Sequence, residues 1–168
     1  MDDRTLSNLV DAVTRDVLKK YKDNAKPGYS KGYISLSTAK KLAKKVEDEA
    51  ERIGVKAVVA ISNAAARPVL VECMDDSYMA SYDIALNKAY TTVALKMSTS
   101  KLKSLTKPGD ELYGIQYTNQ GQIVIFGGGT PLIYNNEIIG GLGVSGGSEE
   151  QDTYLADYGA KVFEEELL

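Results

Sequence analysis

The 168-residue chain contains no histidine. Histidine titrates closest to neutrality and is the commonest metal ligand, so its absence excludes Ser-His-Asp and Cys-His catalysis and any His-ligated zinc or haem. The only cysteine, Cys73, excludes an internal disulfide and leaves too few thiolates for a structural zinc site. An excess of positive charge is missing too. Lys and Arg number 20 against 23 Asp and Glu, a net charge of -3, so there is no basic face for nucleic-acid phosphates. No uncharged run approaches the roughly 18 apolar residues of a membrane span. The opening Met1-Asp2-Asp3-Arg4 lacks the basic start and apolar stretch of a secretory signal. Read together, these absences lead us to expect a cytoplasmic protein with neither a membrane span nor a nucleic-acid partner.

What is present points to one domain with an appendage. A hydrophobic fraction of 43% over this length suffices for a single core. Leu6, Leu9, Val10, Val13, Val17 and Tyr21 recur at helical spacing, with Asp11, Arg15, Asp16 and Lys19 on the other side, which predicts an amphipathic helix over 1–23. The polar, breaker-rich 24–34 reads as a linker, and 35–168 as the domain proper.

Within that domain, a helix is expected from Ser37 as N-cap to Gly54, then strands over 56–62 and 68–73. Asp75-Asp76-Ser77 offers the cap of a long helix to about Met97, with Tyr78, Tyr82, Ala85, Ala89, Val93 and Met97 as its inner stripe. The alanines would let it lie close to a sheet. Thr99 reads as the cap of a short helix. Strands follow at 123–126, 131–134 and 138–144, with Asn135-Asn136 as a hairpin turn, and Ser148 caps a last helix. Five strands in hairpins predict an α+β sandwich, with an antiparallel five-stranded sheet packed by helices.

Two constellations carry chemistry. Gly127-Gly128-Gly129-Thr130-Pro131 and Gly140-Gly141-Leu142-Gly143-Val144-Ser145-Gly146-Gly147 concentrate residues that let a ligand or a second backbone come close. Residues 141–146 fit G-x-G-x-x-G as a string, but late in a hairpin strand, without the βαβ context that gives the string meaning. Lys88 falls on or near the Ala85/Ala89 face, where a charge needs a reason. A ligand carboxylate, Asp152 or Glu150 would supply one, as would a snorkelling stem. Eleven tyrosines offer flat surfaces for a cofactor or oxygen ligands for ferric haem, and equally serve as half-buried packing.

The ordered set Lys56–Ala60, Ser81…Ala85…Lys88-Ala89, Ser98-Thr99, Gly128-Gly129-Thr130-Pro131-Leu132, Ile139–Gly147 and Gln151-Asp152 resembles the GlcG/HbpS family. That family also supplies the C-terminal domain of PduO-type corrinoid adenosyltransferases. The resemblance runs from about Ser35 to the C-terminus. It implies a two-layer sandwich with a five-stranded antiparallel sheet, assembled as a homo-oligomer, from dimer to octamer, that binds haem or a corrinoid such as cobalamin rather than catalysing an established reaction. With no histidine, haem iron here would fall to Tyr, Met, Lys or a surface contact. The adenosyltransferase activity of PduO-type proteins belongs to their other domain.

The leading expectation is therefore an oligomeric accessory protein for a tetrapyrrole-like cofactor. Gly128, Gly129, Thr130 and Pro131 would form the ligand-approach loop, with Lys88 and Asp152 nearby and no bound metal. Two other readings stand beside it: an enzyme acting on a small organic acid or aldehyde with Lys88 as cation or base, and a purely structural assembly protein. The helix at residues 3–22 resembles tails that dock cargo on bacterial microcompartment shell proteins; packing on its own domain or on a neighbouring subunit is the alternative.

Overall fold

The computed structural model describes residues 13–15, 29–30 and 32–167. Most of the expected N-terminal helix lies outside these residues. Residues 13–15 are helical, and Val13 is exposed.

The first element is a small hairpin within the stretch read as linker. β1 (Tyr29–Ser30) pairs antiparallel with β2 (Tyr33–Ile34), and Ile34, 4% exposed, enters the main core. Part of the 24–34 segment is thus folded rather than linker, because Ile34 has an apolar site to fill. Helix α1 (Leu36–Arg52) is capped two residues earlier than expected: the Ser35 hydroxyl, on an extended residue, accepts from the Thr38 amide at 3.1 Å. Three hydroxyls in four residues (Ser35, Ser37, Thr38) made the local signal ambiguous, and Ser35 alone has the extended geometry that capping needs.

β3 (Val58–Asn63), β4 (Pro68–Cys73), β5 (Gly129–Tyr134) and β6 (Glu137–Ser145) form an antiparallel sheet in the order β4-β3-β6-β5. Among the described residues it has four strands, not five. In the expected strand at 123–126, Ile123 and Val124 are buried, but the run sits outside the ladder. The Val124 amide bonds to the Thr91 hydroxyl at 3.0 Å rather than to a neighbouring strand. Periodicity alone cannot separate these cases, since an apolar run is buried the same way in either.

Helices cover both faces of the sheet, so the architecture has three layers rather than two. The register pairs Val59 with Val144 and Ile61 with Leu142, and these four side chains pack with α1 and with α4 (Glu149–Val162). Alternate positions pair Ala60 with Gly143 and Ser62 with Gly141, and this face of small residues receives α2 (Ser81–Ala94). A Cβ on Gly143 would fall inside contact distance of the Ala85 carbonyl and 2.6 Å from the Ala89 amide. Strand and helix backbones meet directly there. A short helix α3 (Thr99–Lys103), capped by Ser98, precedes the long connection to β5.

α2 starts later than Asp75–Ser77 would place it. Asp76 adopts φ +65, and a turn carries the chain to Ser81. Tyr78 and Tyr82 consequently leave the inner stripe and stand 72% and 46% exposed, while Met97 lies beyond the C-cap Leu95. Ser81, Ala85, Lys88, Ala89 and Thr92 line the inner face instead.

α1 and α4 are tied by a surface network in which Arg52 donates to both carboxylate oxygens of Glu49, at 2.8 and 2.6 Å, and the Tyr154 hydroxyl donates to Glu49. The Arg52 pairing, helped by Tyr154, holds the Glu49 carboxyl down at about 2, against an ordinary value of 4.5. A depressed acid stabilises the fold above its unfolded value and loses that contribution as pH falls from about 4.5 towards 2. Glu49→Gln should therefore flatten the acid limb of urea midpoints across this window and cost about 1 kcal/mol at neutral pH, since Arg52 is exposed. An acid limb identical to that of the wild type would show that the network does not couple to folding.

Candidate functional site

Lys88 is fully buried, 0% exposed. Snorkelling is thereby ruled out. Its ammonium donates to Asp152 Oδ2 and to the Val144 carbonyl, both at 2.8 Å, and lies 4.8 Å from the centre of the Phe126 ring. The three N–H groups of a lysine thus have a carboxylate, a carbonyl and an aromatic face. Burial pushes this ammonium below the ordinary lysine range, and Asp152 opposes the shift. Held in this way, the Lys88 side chain ties β6 and α4 to α2.

The partners come from three elements. α2 supplies Lys88, β6 supplies Val144, and the first turn of α4 supplies Asp152. Ser148 and Gln151 close a capping box at the start of α4, so Asp152 is fixed by the helix it sits on. The other oxygen of Asp152 accepts from the Gly147 amide at 2.9 Å. Of the acidic partners left open by the sequence, Asp152 is the one used, while Glu150 points to solvent.

Gly128 packs on this pair. At φ +108 it adopts a backbone that only glycine takes without strain, and a Cβ there would lie 2.5 Å from Lys88 Nζ and 2.7 Å from the Val144 carbonyl. Its own carbonyl accepts from the Val144 amide at 2.7 Å. Gly129 is enclosed too: its amide donates to the Thr99 hydroxyl at 2.9 Å, and a Cβ would meet Thr99 and Thr92. The close approach these two glycines permit is to the protein itself.

The six residues singled out from the sequence therefore divide. Lys88, Gly128 and Asp152 form one cluster, and Gly129 is sealed beside it. Thr130 and Pro131 border a separate depression of about 460 Å³, together with Tyr134, Asn135 and Asn136.

Beside the Lys88–Asp152 pair opens a cleft of about 390 Å³, within the range of small-molecule sites. Its walls are Tyr78, Ala80, Ile84 and Phe126, and its polar lining is Ser81, Ser145, Glu149 and Asp152. The carboxylates are engaged: Glu149 accepts from the Gly127 amide at 2.9 Å and pairs with Lys103, and both contacts lower its pKa. A second cleft of about 510 Å³, bordered by Lys56, Asp76 and Gln151, shares Tyr78, Gly146 and Gly147 with the first. Sequence reasoning missed this site because Tyr78 and Phe126 were assigned to a helix stripe and a strand. The available signal was Asp75-Asp76, a turn pair that could have stopped the helix short of Tyr78. Among the described residues no group of three acidic or sulfur ligands is placed to hold a metal, and no helix is long and apolar enough to cross a membrane.

The chain has relatives among known proteins. An uncharacterised 15.0 kDa protein from the dhaT-dhaS intergenic region of Citrobacter freundii is 46% identical over 132 residues, 79% of this chain and 93% of that protein. The corrinoid adenosyltransferase PduO of Salmonella typhimurium is 36% identical over 148 residues, 86% of this chain but 44% of that protein. The named activity of PduO, a protein of which this chain spans less than half, is not carried over. A crystal structure of a PduOC–haem complex superposes with a TM-score of 0.74 at 36% identity, over 77% of this chain and 94% of that one. The sequence profile of the haem-degrading protein HbpS-like family matches residues 34–161, from the end of β2 to the last turn of α4, and the chain belongs to that family.

Proposed function

We propose that this protein is an oligomeric accessory protein that binds a tetrapyrrole-like cofactor, haem or a corrinoid, in the cleft beside the Lys88–Asp152 pair. The observation that carries the reading is the cleft itself, with aromatic and apolar walls from Tyr78, Ile84 and Phe126 and a polar lining that includes Asp152, the acidic member of the buried ion pair. A flat, largely apolar molecule finds surface to stack on there, and side-chain hydroxyls for its polar edge. The PduOC–haem complex, which shares this fold at 36% identity, supports the same reading.

The residues fit the macrocycle better than its metal. The chain has no histidine, and both cleft carboxylates are already held by amides and lysines. Tyr78 supplies the phenol oxygen of the lining. A bound haem or corrinoid would bring redox or organometallic chemistry to the site, while Lys88, Gly128 and Asp152 would keep its floor rigid. Gly129 would lock the adjoining turn, leaving Thr130 and Pro131 to the neighbouring depression.

Titration of the purified protein with haemin and with cobalamin, read in the Soret and corrin bands beside a light-scattering mass, tests the reading. We expect saturable binding of at least one of them at a fixed stoichiometry per subunit, by a dimer or larger assembly. Spectra that stay those of the free compounds, with both, would sink it.

The matched segment begins at residue 34, which leaves the amphipathic pattern of residues 3–22 outside the family domain. We assign that pattern to docking on a microcompartment shell protein, through burial of Leu6, Leu9, Val10, Val13 and Val17 in a partner's groove.

A further inference from the structure

We propose that the cleft recognises the face and rim of the tetrapyrrole without using its metal. This inference rests on the tetrapyrrole reading above and names what in the ligand is read.

Each cleft carboxylate already holds partners. Asp152 holds Lys88 and the Gly147 amide, and Glu149 holds the Gly127 amide and Lys103. Turning Asp152 onto a metal would strip a fully buried ammonium of its counter-charge, and a buried unpaired charge is strongly unfavourable. Turning Glu149 would release the Gly127 amide. Neither carboxylate is available at low cost, and the sequence has no histidine to replace them.

The groups that remain suit an organic ring. Phe126 is held by the Lys88 ammonium at 4.8 Å, so this cleft wall is fixed before any ligand arrives. Tyr78, 72% exposed, presents its ring at the junction of the two adjoining clefts. A macrocycle larger than either cleft alone can lie across that junction at Gly146–Gly147.

The floor supplies the rim contact. The hydroxyls of Ser81 and Ser145, both buried, share one hydrogen bond of 3.2 Å in which Ser145 donates to Ser81. Two hydroxyls carry two protons, so one O–H is left over. It has no acceptor among the described residues. A propionate or amide oxygen on the macrocycle rim is the acceptor it lacks.

The test compares haemin with metal-free protoporphyrin IX on the full-length protein, following tyrosine fluorescence quenching and the Soret band. We expect the two dissociation constants to agree within about threefold. Phe126→Ala should weaken both ligands equally, by about tenfold for a lost stacking partner. Ser81→Ala should weaken both by about fivefold for one neutral hydrogen bond. Urea midpoints close to that of the wild type establish that each variant is folded. Tyr78→Phe, which keeps the ring and removes the oxygen, should affect both ligands alike.

Haemin binding without protoporphyrin IX binding, or a loss on Tyr78→Phe confined to haemin, would overturn the proposal and leave the tetrapyrrole reading intact. Failure of haemin, protoporphyrin IX and cobalamin alike would mean that the tetrapyrrole reading itself is wrong, and this inference with it.

Discussion

Lys88→Met should destabilise the protein by about 3–5 kcal/mol, because it leaves the Asp152 carboxylate buried without its cation. The loss extends beyond the pair. Lys88 also satisfies the Val144 carbonyl, faces Phe126 and packs under Gly128, so its removal frees the turn before β5 and one wall of the cleft together. Equilibrium urea unfolding of Lys88→Met, Asp152→Asn and the double variant measures this. The pair should be coupled: the double variant should lose less than the sum of the two singles, since neither charge is then left alone. Additive losses would mean that the two side chains act independently, and that the buried pair is not the keystone of the cleft.

Gly143→Ala should be of comparable size, a loss of about 3 kcal/mol, at the upper end of ordinary overpacking. The added methyl meets backbone, the Ala85 carbonyl and the Ala89 amide, and backbone has no rotamer by which to yield. α2 would have to lift from the sheet, and its N-terminal end, which carries Ser81 into the cleft, would move with it. Thermal unfolding gives the stability, and haemin titration of the same variant gives the second readout. A variant as stable as the wild type would show that helix and sheet have slack between them. The dense packing at Ala85, Ala89, Gly141 and Gly143 would then need another explanation.

These two residues show how far the sequence could be read. The period-3.6 pattern of Leu42, Val46 and Ala50 marked α1 correctly, and the turn chemistry of Asn135-Asn136 marked the β5–β6 hairpin, because both are local signals carried by side-chain spacing and backbone preference. The small residues of the long helix pointed to close packing on a sheet, and Ala85 and Ala89 do meet β6. The ordered glycines pointed to the family to which the chain belongs. The family and the antiparallel α+β class were thus legible from order and spacing, while the number of strands and the layering were not.

The site was less so. Lys88 was visible as a charge on an apolar face, but its partner was not. Asp152 and Glu150 share the first turn of α4, and only the direction in which that turn faces the sheet separates them. Val124 belongs to an apolar run indistinguishable from a strand until the Thr91 hydroxyl is seen taking its amide.

The sequence by itself determined the helices and strands whose signals are local, the absence of histidine chemistry, and the family. Only the tertiary structure decided that the glycines serve close contact within the protein, that Lys88 is consumed in a buried pair, and that Tyr78 and Phe126 stand as walls of a cleft. The reason is physical: a side chain's role at such a site depends on which distant residues satisfy its charge and fill its volume. Those partners are brought together by sheet register and helix docking, and neither is encoded in any short stretch of the chain.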